Sequence, residues 1–183
     1  MLKLFRGAKE SPNQTAVSMV GARPGDSVLF CGADRPDIAG EVGAITGLNG
    51  QTTVTDRKDD AATRVAAAAA TAGALVDFED ALLTRLPFDD GQWDAAVLVG
   101  GLSALGELAD ATLAEAVRVI RPGGRLILFD PVEQVGLFGR RRSVAPPVPE
   151  ESVRHRLGTV GLRGARLLAH ADGVRYFEAV KPR

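Results

Sequence analysis

Three acidic side chains each follow a short apolar or β-branched run that is typical of a buried strand, namely Asp34, Asp56 and Asp80. In an open sheet of parallel strands, the ligand site lies beyond the carboxyl ends of the strands. A carboxylate that closes the second strand can accept both hydrogen bonds of a ribose diol, and this is the role predicted for Asp56. Asp80, after the third strand, could accept a hydrogen bond from an adenine amino group. The alternative for each acid is that it caps the next helix.

The turn after the first strand differs from a dinucleotide-binding loop. Such a loop uses Gly-x-Gly-x-x-Gly so that the backbone can approach a pyrophosphate. Here Gly32 is in place, but Asp34, Pro36 and Asp37 follow it. Two carboxylates at the start of a helix repel phosphate, which argues against NAD or FAD. They do not repel a ligand that carries positive charge.

Short apolar runs alternate with helical patterns along most of the chain. The predicted buried strands are Val28–Cys31, Thr52–Thr55, Ala74–Phe78, Ala95–Val99 and Arg125–Phe129, and the predicted helices cover residues 36–46, 57–72, 107–120 and 150–160. Two more strands, near 164–169 and 174–180, have no full helix between them. The sequence therefore predicts an α/β fold, Rossmann-like and doubly wound, with a mostly parallel seven-stranded sheet and an antiparallel edge hairpin.

Composition excludes several classes of protein. The 183 residues carry a net charge of -1, so no basic field indicates a nucleic-acid partner. One cysteine and two histidines make a metal site of these residues improbable, and none is expected. The chain has no apolar run of the roughly 18 residues that a membrane helix requires, and no signal peptide pattern at its start. We expect a soluble, cytoplasmic protein without integral membrane association.

Leu86–Val99 runs through Leu-Pro-Phe, a short turn, Trp93-Asp94 and an apolar strand, and Ala114–Leu126 runs through a helical pattern, the turn Arg121–Gly124 and the start of another strand. These two stretches resemble the class I S-adenosylmethionine-dependent methyltransferases, in particular the small ubiquinone/menaquinone-biosynthesis type (methyltransferase type 11-like). The first is similar to the family's Leu-Pro-Phe, short turn, aromatic-Asp and fourth strand, and the second to its helix, "R-V-L-K-P-G-G" turn and fifth strand. The resemblance covers about Ala22–Pro131, with a fainter tail. It implies one domain over residues 1–183, with an N-terminal segment at 1–21.

The resemblance also implies S-adenosylmethionine as the cofactor, and the predicted binding residues are Gly32, Asp34, Asp56, Asp80 and Gly100. The cofactor loop departs from the family's Val-Leu-Asp-x-Gly-x-Gly-x-Gly and is degenerate. Phe30 replaces the acid, while Asp34 and Pro36 replace the second and third glycines. Our hypothesis is that Asp34 supplies the missing carboxylate, because the cofactor carries an ammonium and a sulfonium. The alternative is that Asp34 only caps helix 36–46.

Residues 132–149 read as a loop, at a place where the family's fold often has a substrate-covering segment. An apolar pair beside a run of three arginines in this segment predicts contact with a lipid-like or anionic substrate, or weak peripheral contact with a membrane. The alternative is an exposed loop whose charges remain solvated. The side chains that carry this prediction are Leu137, Phe138, Arg140, Arg141 and Arg142.

The activity expected from the resemblance is methyl transfer to a small, apolar or quinone-like acceptor by positioned in-line attack. No catalytic residue is predicted, although His155 and His170 are the chain's two histidines, the residue type that most often acts as a general base. A different class remains open. In that alternative the chain is a methyltransferase-shaped binding or scaffold protein that has lost cofactor affinity.

Overall fold

The computed structural model describes residues 11–135, 141–143 and 147–183. These residues contain nine strands and six α-helices. The strands are β1 Ser27–Cys31, β2 Gln51–Asp56, β3 Asp77–Asp80, β4 Trp93–Val99, β5 Ile120–Pro131, β6 Glu133–Val135, β7 Arg141–Ser143, β8 Arg163–Ala171 and β9 Val174–Val180. The helices are α1 Gln14–Val20, α2 Pro36–Thr46, α3 Ala61–Ala72, α4 Gly101–Leu105, α5 Ala109–Val119 and α6 Glu150–Thr159. A short 3₁₀ turn, Gly106–Leu108, precedes α5.

Seven strands form one sheet in the order β3-β2-β1-β4-β5-β9-β8. The first five are parallel to one another, and β9 runs antiparallel to both β5 and β8. The predicted fold class is confirmed, including the antiparallel hairpin at one edge. The strand order reverses between β1 and β4, so a crevice opens at their carboxyl ends, where doubly wound sheets bind ligands.

Both faces of the sheet are covered by helices. One apolar cluster includes Leu102, Leu113 and Val153 from α4, α5 and α6. The other includes Ala16, Ile38 and Val65 from α1, α2 and α3. Because the parallel strands are buried on both faces, they read as continuous apolar or β-branched runs rather than alternating ones.

Small residues let α2 and α3 approach closely. A Cβ at Gly40 would lie 2.8 Å from the carbonyl oxygen of Ala68, and one at Gly43 would lie 2.9 Å from a methyl group of Val76. The alanine-rich sequence of α3 supplies the facing small surface. Close packing of α2 against α3 and the residues that follow it therefore explains the glycines at positions 40 and 43 and the alanines that face them.

The starts of two elements, α3 and β3, lie later than predicted for reasons that the structure shows. Helix α3 begins at Ala61 rather than at 57, because the Asp56 carboxylate binds the amides of the residues after β2. Strand β3 begins at Asp77 rather than at 74, because the Ala74 amide donates to the carbonyl of Ala69 at 2.9 Å and completes the end of α3. The amide of Gly73, which has a left-handed φ of 64°, caps the same turn.

The segment 132–149 is not simply a loop, since β6 and β7 pair within it as an antiparallel ladder. Arg141 and Arg142 belong to β7, opposite Val135 and Gln134. The other residues of the predicted membrane or substrate contact, at positions 137, 138 and 140, lie outside the described residues.

The helices that the structure describes are short. Helix α3 has 12 residues, and none of the described helices is long and apolar enough to cross a membrane.

Candidate functional site

The loop after β1 crosses the carboxyl end of the sheet at the crevice. Its amide at Gly32 donates to the carbonyl oxygen of Thr55 at 2.8 Å, which ties the loop to β2. Gly32 has a φ of 104°, and a Cβ there would lie 3.1 Å from the carbonyl oxygen of Val99. Both the backbone conformation and the close approach to β4 therefore require glycine.

Asp56 closes β2 beside this loop, and its side chain is only 12% exposed. Its Oδ2 accepts the amide hydrogen of Ala33 at 2.8 Å. Its Oδ1 accepts those of Arg57 and Lys58 at 2.7 and 3.2 Å. Helix α3 starts five residues later, so Asp56 does not cap it. These three hydrogen bonds from backbone amides hold the carboxylate at the mouth of the crevice, where the sequence predicts a ribose contact.

Asp34 extends over the crevice from the same loop. The Nζ of Lys58 donates to its Oδ1. Its Oδ2 lies 3.8 Å from the place that a Cβ of Gly100 would occupy. The N-cap of α2 is Arg35, and no side-chain hydrogen bond caps this helix. The capping alternative for Asp34 is therefore wrong, and its carboxylate faces the space between β1 and β4.

Glycines also build the turn after β4. Gly100 has a φ of 109°, and its amide donates to the carbonyl oxygen of Phe129 at 3.2 Å. At Gly101, a Cβ would lie 2.3 Å from Oδ1 of Asp130. By contrast, among the described residues other than its chain neighbours, Oδ2 of Asp34 is the one heavy atom within 4 Å of a Cβ built at Gly100. Within this part of the chain, the space beside Gly100 is an open cradle bordered by a carboxylate.

Asp80 lies one strand further from the crevice. It pairs in register with Asp56, and its side chain is 74% exposed. Its Oδ1 lies 3.5 Å from Nε of Arg57. The structure thus brings Gly32, Asp34 and Gly100 together with Asp56, while Asp80 stands at the rim. An adenine contact by Asp80 stays a prediction.

Phe30, at the position of the family's usual acid, is 1% exposed and packs in the cluster under α1 and α2. Its neighbours there include Val20, Ile38 and Val54. The substitution therefore replaces an acid with a core residue. Any carboxylate offered to a ligand from this loop has to come from elsewhere in it.

A buried ion pair between the end of β5 and the start of β9 was not among the predicted site residues. Asp130 is 1% exposed and pairs with Arg175, which is 12% exposed. The guanidinium also donates to the carbonyl oxygen of Val148 at 2.7 Å and lies 5.4 Å from the ring centroid of Phe177. This buried pair ties the segment before α6 to the sheet. In the sequence, only the acid of this pair is marked, because Asp130 directly follows the fifth predicted strand.

The remaining titratable groups of the described residues give no strong candidate for a nucleophile or base. Cys31 is fully buried, and burial raises the pKa of its thiol to about 12, so it is protonated at neutral pH. His155 on α6 and His170 on β8 are both exposed. Among the described residues, no group of three or more His, Cys, Asp or Glu side chains is arranged to hold a metal ion.

Known proteins similar in sequence are methyltransferases. A family model described as a methyltransferase domain matches residues 39–128. The ubiquinone/menaquinone biosynthesis C-methyltransferase UbiE of Shewanella piezotolerans is 29% identical over 116 residues, which are 62% of this chain and 46% of that protein. The protein of the same name from Bdellovibrio bacteriovorus is 32% identical over 114 residues, 62% of this chain and 48% of that protein. The chain spans about half the length of the curated relatives that it matches.

Solved structures match over more of the chain. A SAM-dependent methyltransferase from Aquifex aeolicus has a TM-score of 0.75 and 18% identity, covering 92% of this chain and 89% of that one. The Burkholderia thailandensis 1,6-didemethyltoxoflavin-N1-methyltransferase, solved with 1,6-didemethyltoxoflavin and S-adenosylhomocysteine, has a TM-score of 0.67 and 19% identity, covering 96% and 80%. At these identities the likeness shows a shared fold and nothing finer.

Proposed function

The chain belongs to the class I S-adenosylmethionine-dependent methyltransferase family, and from this premise we propose that it binds S-adenosylmethionine and methylates a small molecule. The proposed cofactor site is the crevice between the carboxyl ends of β1 and β4.

The position of Asp56 is the observation that carries the proposal. Its carboxylate is held by three backbone amides at the end of β2, next to the crevice. A carboxylate offers about four lone-pair sites, and the amides occupy two on Oδ1 and one on Oδ2. Oδ2 therefore has room for one ribose hydroxyl, and the second hydroxyl shares Oδ1 with the longer, 3.2 Å bond from the Lys58 amide. We assign the ribose to Asp56 and, at the exposed rim, the adenine amino group to Asp80.

The open cradle beside Gly100 fits the methionine part of the cofactor. Asp34 borders it, and a carboxylate there attracts both the ammonium and the sulfonium. Gly32 keeps the backbone of the loop close to β4, which leaves the crevice free of side chains at that point. Of the two acids at the start of α2 that oppose a pyrophosphate, Asp37 pairs with Arg35 at 3.0 Å, so Asp34 is the one that suits a cationic ligand.

Methyl transfer needs little chemistry from the protein. The bound cofactor supplies an activated methyl group, and alignment of the acceptor for in-line attack provides much of the rate increase. The chain's own part is to hold the cofactor and to exclude water around the acceptor. For this reason we assign no general base.

An apolar, quinone-like acceptor is the finer part of the proposal. Leu82, which follows β3, is 51% exposed, and Leu108, in the 3₁₀ turn after α4, is 60% exposed. Both belong to connections that leave the carboxyl ends of the strands. The names of the curated relatives, which refer to ubiquinone and menaquinone biosynthesis, agree with an acceptor of this class. Substrate covering by residues 132–149, peripheral membrane contact and a cytoplasmic location remain predictions.

Thermal unfolding in the presence of ligands tests the proposed function. At ten times its Kd, a ligand that binds only the folded protein adds about 1.4 kcal/mol of stability. For a chain of this length that raises the Tm by about 3–6 °C. We expect this increase with S-adenosylmethionine and S-adenosylhomocysteine, and none with NAD as the control nucleotide. The absence of a shift with either adenosyl compound at millimolar concentration would contradict the proposal and favour the scaffold protein.

A further inference from the structure

Lys58 lies between the two carboxylates assigned to the cofactor. Its Nζ donates to Oδ1 of Asp34 and lies 3.9 Å from Oδ2 of Asp56. The side chains of Lys58 and Asp34 are each 52% exposed, whereas that of Asp56 is 12% exposed. The ammonium thus sits at the entrance of the crevice, on the carboxylate proposed to receive the cofactor's own ammonium.

We infer that Lys58 competes with the cofactor for Asp34 and so sets the affinity of this chain for adenosyl ligands. The inference rests on the proposed function. A carboxylate that binds one ammonium at hydrogen-bond distance can accept a second only against the repulsion between the two cations. Lys58 on Oδ1 therefore opposes binding of the cofactor's ammonium to Oδ2, on the Gly100 side, and moving the lysine away relieves this repulsion. Because both side chains are half exposed, their pair is weak and displaceable.

The lysine ammonium is not required to hold the loop. The amides of Arg57 and Lys58 bind Oδ1 of Asp56, and the amide of Ala33 binds Oδ2. In addition, Nη1 of Arg64 donates to the carbonyl oxygen of Ala33 at 2.9 Å. These bonds fix the loops after β1 and β2 without the Lys58 side chain. Its removal should therefore free Asp34 and leave the site intact.

The neighbouring cation takes a different partner. The Nε of Arg57 lies 3.5 Å from Oδ1 of Asp80, at the rim. The two successive basic residues thus neutralise different acids, and Lys58 is the one directed to the crevice. We place Lys58 among the residues that tune cofactor affinity rather than among the catalytic residues.

Calorimetric titration with S-adenosylhomocysteine, which keeps the ammonium and cannot donate a methyl group, tests this inference. Lys58→Met retains the aliphatic stem without the charge, and we expect it to bind about three- to fivefold more tightly than the wild type at low salt. Lys58→Arg keeps a cation on Asp34 and should bind like the wild type. Raising the salt concentration should reduce the difference between wild type and Lys58→Met, because the pair is screened.

Arg23→Met is the matched control, since it also removes one positive charge. Arg23 is exposed and precedes β1, so it lies at the amino ends of the parallel strands, away from the crevice at their carboxyl ends. The affinity of Arg23→Met for S-adenosylhomocysteine should equal that of the wild type. If its affinity rose as much as that of Lys58→Met, the effect would come from net charge alone, and the inference would be overturned. Equal binding by wild type and Lys58→Met, or weaker binding by the variant, would also overturn it and leave the proposed function standing. If none of the variants binds the ligand, both proposals are wrong.

Discussion

Asp130→Ala is expected to lower the free energy of unfolding by about 3–5 kcal/mol, the cost of breaking a buried ion pair. Asp130 is 1% exposed and its partner Arg175 is 12% exposed, so the variant leaves a guanidinium in the interior without its counter-ion. Urea denaturation measures the loss directly. A second variant, Arg175→Met in the Asp130→Ala background, should recover part of the stability because no unpaired charge remains.

An exposed pair of the same chemistry provides the control for this prediction. Arg154 pairs with Glu150 within α6, and their side chains are 45% and 36% exposed. Arg154→Ala should therefore cost less than about 1 kcal/mol. If Asp130→Ala lost no more stability than Arg154→Ala, the buried pair would not hold the end of β5 as we describe.

Asp56→Ala is expected to weaken the binding of S-adenosylhomocysteine by about 100-fold. Hydrogen bonds to a charged group are worth about 1.5–3 kcal/mol each, and the variant loses those to the ribose. It also removes the acceptor that fixes the Ala33 amide at 2.8 Å, so the loop over the crevice becomes less well positioned. Calorimetric titration measures the change, with thermal unfolding as a check that the variant is folded.

Asp80→Ala is the comparison for this variant, because Asp80 belongs to the same sheet edge but is 74% exposed. We expect a loss of affinity of no more than about tenfold there, since exposed groups contribute less. If Asp56→Ala weakened the affinity for S-adenosylhomocysteine by less than about threefold, the ribose would be bound elsewhere.

Much of the fold could be predicted because strands buried on both faces are continuous apolar or β-branched runs in the sequence. The predicted bounds of α2 coincide with those observed, since Pro36 begins this helix and Gly47 follows its last residue. The predicted start of α3 was wrong because a side chain, Asp56, competes for the amides that follow β2. Local patterns do not reveal such a competition.

The site could be predicted only in part, for a reason of distance along the chain. Strand ends mark the acids Asp34 and Asp56, because the carboxyl ends of parallel strands meet at one edge. The partner of each acid is set by the fold. Lys58 is 24 residues from Asp34, and Arg175 is 45 residues from Asp130. Nothing in their local sequence indicates these contacts.

A crystal structure of the chain with S-adenosylhomocysteine at millimolar concentration tests the central claim most directly. We predict that both ribose hydroxyls lie about 2.5–3.2 Å from the Asp56 carboxylate. The ligand's ammonium should lie against Asp34, with the side chain of Lys58 moved away. A ligand bound away from the β1–β4 crevice, or Lys58 still on Asp34 with no ligand beside Asp56, would contradict the account.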